Sequence, residues 1–95
     1  MALIRVTPAT LRSKATELEG LNNQYKNKVN GLNDKETTLY GQWEGDANTA
    51  FHQAFQTNKG YLDDFSTAVG KYIEALNTAA EAYDKAEAEA AGMVQ

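Results

Sequence analysis

Tyr40-Gly41-Gln42-Trp43-Glu44-Gly45-Asp46 lies near the middle of the chain and holds its only Trp and two of its seven Gly. Long helical patterns run away from it on both sides. We read it as the turn of one helical hairpin. Gly41 and Gly45 tolerate backbone angles that let a helix end and the chain reverse. Asp46 is expected as the N-cap of the following helix, its carboxylate accepting free N–H groups of the first turn. Trp43 falls on the apolar stripe of the first helix and is expected to plug the end of the core.

Upstream of the turn, Thr7-Pro8 signals a helix start, with Thr7 as N-cap and Pro8 at the first helical position, where its missing N–H costs nothing. Val6 and Leu11 take the two places of a hydrophobic staple, and Thr10 stands where a capping-box Glu would be. Residues 1–6 are expected to lie along the bundle as an irregular or extended arm. Leu11, Leu18, Tyr25, Leu32 and Leu39 recur every seven residues, with Ala15, Asn22, Val29, Glu36 and Trp43 as companions. Together they form one stripe on one long helix. Asn22 and Glu36 interrupt the second row; polar residues in a seam cost stability and help fix register or partner.

Downstream the rhythm resumes in Phe51, Asn58, Phe65, Tyr72 and Ala79, and in Phe55, Leu62, Val69, Leu76 and Tyr83. The spacing predicts helix one over about 8–40, a turn over 41–46 and helix two over about 46–88, followed by a flexible tail, all within one domain of residues 1–95. The fold class is all-α, an antiparallel hairpin. Ala54, Tyr61, Ala68, Ile73 and Ala80 make helix two wider in apolar surface than one partner helix can cover. A second hairpin, a copy or a relative, relieves this by forming a four-helix bundle with coiled-coil packing. Leu18, Tyr25, Leu32, Phe55, Leu62, Phe65, Val69 and Tyr72 are the residues expected to pack the core and the dimer interface.

Helix lengths of about 50 Å and about 64 Å follow from 1.5 Å per residue. Pairing back from the turn sets Ala79 opposite Pro8. The segment from Ala80 to Glu87 then overhangs, with no partner in its own protomer.

Composition excludes several functions. The chain has 9 basic and 13 acidic residues, for a net charge of −4, and the acidic excess lies after the turn. Nucleic-acid phosphates would be repelled. Without Cys and with one His, neither a Cys-based site nor a His cluster exists, and His52 reads as a surface or half-buried structural residue. Asp63 and Asp64 diverge by about 100° on a helix and form no shared carboxylate site. No nucleophile elbow or phosphate-binding glycine loop is present. We expect no enzyme, metal or cofactor. The N-terminal residues lack the apolar core of a cleaved signal peptide.

Trp43-Glu44-Gly45 and Tyr83-Asp84-Lys85-Ala86-Glu87, in a Cys-free hairpin opening with Ile4-Arg5-Val6-Thr7-Pro8, carry a resemblance over essentially the whole chain. The chain resembles the WXG family, small substrates of the bacterial type VII (ESX-like) secretion system, and its opening is similar to that of Gram-positive members. The resemblance implies a dimer of hairpins, either a homodimer or a pairing with a related hairpin. It implies export by a membrane ATPase that recognises folded dimers, alone or beside a larger co-secreted effector. The protein would be cytoplasmic before export and secreted after it, without a cleaved signal peptide. Trp43 and Gly45 would be the turn motif; Tyr83 and Glu87, a Tyr-x-x-x-Glu pair on one helix face, would be the secretion signal. The alternative is an intracellular helical adaptor that dimerises without export. A membrane-disrupting protein is disfavoured by the low basic content and the interrupted apolar rows.

Overall fold

A computed structural model describes residues 6–94. It consists of helix α1, Pro8–Gln42, and helix α2, Asp46–Val94, joined by a three-residue turn. The two run antiparallel as a rod of 76 × 23 × 23 Å with a radius of gyration of 21.6 Å. The expected N-terminal arm, residues 1–6, falls largely outside the described residues. Helix α2 continues past the expected end near residue 88, because an Ala- and Glu-rich run favours helix and nothing in it is a strong stop.

The start of α1 follows the sequence reading. The Thr7 hydroxyl accepts from Thr10 N–H at 3.1 Å, Pro8 opens the helix, and the hydroxyls of Thr7 and Thr10 bond to each other at 3.0 Å in place of a capping-box carboxylate. At the second helix the expectation needs correction. Gly45, not Asp46, holds the cap position: its carbonyl accepts from Asn48 N–H at 3.1 Å, and Asp46 is the first helical residue. There its charge still favours the positive end of the helix dipole. Gly45 has φ of +124°, the one positive φ among the described residues.

The centre of the seam is the row that looked interrupted. Ala15, Asn22, Val29 and Glu36 are the buried residues of α1, all at or below 8% exposure. Facing them on α2 are His52, Lys59, Ser66, Ile73 and Ala80, half-buried or buried. Ile73 and Ala80 therefore belong to this intramolecular seam and not to leftover surface; Ala80 is fully buried. Leu11, Leu18 and Tyr25 flank the seam on α1, as Phe55, Leu62, Val69 and Leu76 do on α2, all half-buried. Tyr25 donates its hydroxyl proton to the Leu62 carbonyl at 2.8 Å and meets Phe65 edge-on at 5.5 Å.

The apolar residues beyond these flanks stay uncovered. Leu21, Leu32, Phe65, Tyr72 and Tyr61 are 53–68% exposed. Among the described residues no large side chain is fully buried. The exposed set lies on one side of the hairpin, because in an antiparallel pair the equivalent flanks of both helices project to the same side of the seam. Grooves between the helices on that side are lined by Leu18, Leu21, Tyr25, Phe65 and Val69 in one stretch, and by Leu32, Leu39, Phe51 and Phe55 nearer the turn.

Candidate functional site

Three places on the rod concentrate specific chemistry: the turn, the polar layers of the seam, and the end of α2.

At the turn, Asn48 has a role that sequence reading missed. Its side-chain amide donates to the carbonyls of Tyr40 at 2.9 Å and Trp43 at 2.5 Å. Carbonyls at the end of α1 have no partner within their own helix. One buried Asn on the first turn of α2 supplies it and closes the reversal. The Trp43 ring tilts against Phe51 at a centroid distance of 5.9 Å and remains 37% exposed, so in the single chain it leans on the core edge and does not plug it.

The interrupting polar residues of α1 each have a partner on α2. Asn22 Nδ2 donates to the Ser66 carbonyl at 3.2 Å, and the Ser66 hydroxyl donates back to Asn22 Oδ1 at 3.0 Å. Glu36 Oε1 and His52 Nδ1 are 2.5 Å apart, with the His52 ring stacked on Tyr40 at 4.0 Å. The step from Asn22 to Glu36 is two heptads, and so is the step from Ser66 back to His52. The two pairs therefore satisfy one register, and any slip of a turn breaks both. That equal spacing is the signal in the sequence that pairs them. His52 is half-buried and structural, as expected from its isolation. Glu36 Oε2 and Asn48 Oδ1 are buried without a hydrogen-bond partner.

At the far end, α2 outruns α1. Every residue from Glu81 to Gly92 is exposed. Tyr83, at 50% exposure, and Glu87 stand one turn apart on the same helix face. The overhang is not wholly without a partner in its own protomer, however. Arg12 Nη2 donates to Asp84 Oδ2 at 2.5 Å, from the second turn of α1.

Among the described residues no group of acidic, His or Cys side chains forms a metal site, and no helix is long and apolar enough to cross a membrane. The exposed features of the rod are an apolar face, an aromatic turn and a Tyr–Glu pair on a projecting helix.

The family model WXG100, described as proteins of 100 residues with WXG, matches residues 3–88. The chain belongs to the WXG100 family. Its WXG is Trp43-Glu44-Gly45, and in this WXG100 hairpin the motif's Gly is the residue with positive φ. The fold is shared with solved structures. The secreted protein EsxB from Bacillus anthracis str. Sterne superposes with a TM-score of 0.80 at 22% identity, covering 92% of this chain and 99% of that one. EsxA from Geobacillus thermodenitrificans superposes with a TM-score of 0.79 at 23% identity, covering 96% and 98%. No curated protein sequence matches. The two sequence motifs of this WXG100 chain, at the turn and on the overhang, sit at opposite ends of the rod and do not meet within one hairpin.

Proposed function

We propose that this WXG100 protein is a small substrate or adaptor exported by a type VII secretion system as a dimer of hairpins, and that Tyr83 and Glu87 are the face its membrane ATPase reads. The observation that carries the proposal is the position of that pair. A Tyr and a Glu one turn apart project on a helix that the rest of the hairpin leaves exposed. Tyr offers a large apolar contact with a polar tip, and Glu a charge, so a partner checks side-chain identity and helix phase together. Neither residue is held in the hairpin core, so packing within one chain does not account for a large aromatic there.

The uncovered apolar side supports the dimer. A row of half-exposed Leu, Phe and Tyr along a rod is more contiguous apolar surface than a soluble monomer keeps. Packing a second hairpin on it completes a four-helix bundle. In a dimer of antiparallel hairpins, the turn of one copy comes beside the overhang of the other. Trp43 and Tyr83 then share one end of the bundle. A larger co-secreted effector is a further partner that the same apolar or overhanging surfaces suit. The chemistry is binding and not catalysis.

The test is secretion and folding measured on the same variants. Tyr83→Ala and Glu87→Ala are expected to leave helical content and dimer mass unchanged while abolishing export into the culture supernatant. Normal export of both removes the signal assignment. Intact dimers retained in cells, for the parent chain as well, favour an intracellular adaptor.

A further inference from the structure

The contact between Arg12 and Asp84 is set apart from the other exposed ion pairs. Lys14–Glu17 and Lys59–Asp63 join residues of one helix, three and four positions apart. Arg12–Asp84 joins the two helices, and it is the one side-chain hydrogen bond among the described residues that reaches beyond Ala80. Its location follows from helix geometry. Side chains tilt toward the N-terminus of their own helix. In an antiparallel pair, Arg12 therefore leans toward the C-terminal end of α2, and Asp84 leans back toward it. The guanidinium spans past the last buried layer at Ala80 to a carboxylate one turn farther out.

Asp84 lies directly after Tyr83 and three residues before Glu87. We propose that Arg12 is a positioning residue for the Tyr83–Glu87 face: by clasping Asp84 it holds the overhang wound and aligned through that pair. This rests on the reading of Tyr83 and Glu87 as the recognised face. A projecting helix end loses its last turns to fraying unless something ties them. Past Ala80 the packing has stopped, and Asp84 is the first tied residue. With the clasp closed, Tyr83 and Glu87 stay on one line at one pitch. With it open, the partner must first order the segment it reads. The side chains of Arg12 and Asp84 are 46% and 49% exposed, so the pair adds little to hairpin stability and its effect is confined to the overhang.

The experiment compares Arg12→Glu, Asp84→Arg, the double exchange and Tyr83→Ala in the full chain. Two readouts are taken: the secreted fraction in the native host, and amide hydrogen exchange resolved by residue. Arg12→Glu is expected to lower export about two- to fivefold, the population change an exposed pair of this class can hold. It should speed exchange over residues 81–89 while leaving the seam around Asn22 and Ser66 protected. The double exchange restores both readouts, which separates a pairwise contact from two independent effects. Export of Arg12→Glu at the parent level, or a double exchange no better than the worse single change, overturns the proposal. So does faster exchange spread along the whole hairpin, which assigns Arg12 a merely structural role. If Tyr83→Ala is exported normally, the signal reading itself fails and this inference falls with it. If Tyr83→Ala is blocked and Arg12→Glu is not, only the clasp is wrong.

Discussion

Gly45 shows how much a single residue can decide in a protein of two helices. Its φ of +124° is a conformation that L side chains rarely adopt, and an added Cβ there would meet nothing within 4 Å. Space is therefore not the constraint; backbone strain is. Gly45→Val is expected to destabilise the hairpin by about 1–3 kcal/mol, read as a lower midpoint in urea denaturation with an unchanged slope. Asn48 carries the other half of the turn through its two donated bonds. Asn48→Ala removes both and is expected to cost about 1–3 kcal/mol, taking roughly 0.5–1.5 for each bond. Asn48→Asp should cost more, because a carboxylate would then face two carbonyl oxygens it can only repel. An Asp variant as stable as the Ala variant would contradict this account of the turn.

At the scale of the element, what matters is how two long helices choose one register. Leucine rows alone specify it weakly, since a shift by one heptad brings similar residues together again. The paired layers Asn22–Ser66 and Glu36–His52 remove that freedom. Breaking one layer from one side should be expensive. His52→Ala leaves the Glu36 side chain, 4% exposed, without its hydrogen-bond partner, and is expected to cost about 1–3 kcal/mol, the range for stranding a buried polar group. Replacing both residues, as Glu36→Leu with His52→Leu, should recover most of that loss in thermal melts, since exchanging both partners of a buried hydrogen bond for apolar groups is often nearly neutral. A double variant as unstable as His52→Ala would show that the pair is needed for more than satisfying a buried polar group.

Much of this element scale is legible in the sequence. The Pro8 start, the reversal near Gly45 and the two-helix division all come from local signals, namely a cap, glycines and a seven-residue rhythm. The rhythm does not reveal which of two adjacent rows faces inward. A bulky row of Leu and Tyr looks like a core, yet the smaller row of Ala15, Asn22 and Val29 sits at the closest approach of the helices and the bulky row beside it. Polar residues conceal the true seam until their partners are matched across the turn. Tyr83 and Glu87 are legible as a pair on one face. The Arg12–Asp84 contact is not, because it depends on the lean of two side chains toward each other across helices 72 positions apart in the chain.

For the whole molecule, the uncovered side is the surface on which the proposed dimer depends. Leu21 and Tyr72 are 59% and 60% exposed, so the single hairpin loses little when they change. A dimer that covers them loses much. Leu21→Glu combined with Tyr72→Glu is expected to halve the mass measured by light scattering at micromolar concentration while most helical signal remains. An unchanged dimer mass would mean that the partner sits elsewhere. Since no large side chain among the described residues is fully buried within one chain, the proposed dimer predicts that the melting temperature of the parent protein rises with its concentration.

The rod shape has a consequence for drag. A compact chain of about 100 residues has a radius of gyration near 13 Å, whereas this hairpin has 21.6 Å and is over three times longer than it is wide. An elongated particle experiences more friction than a sphere of equal mass and tumbles anisotropically. On a sizing column calibrated with round proteins, a lone hairpin would run ahead of its mass and imitate a pair. Spectroscopic probes rigidly held along the helix axes should likewise report two rotational correlation times where a sphere gives one.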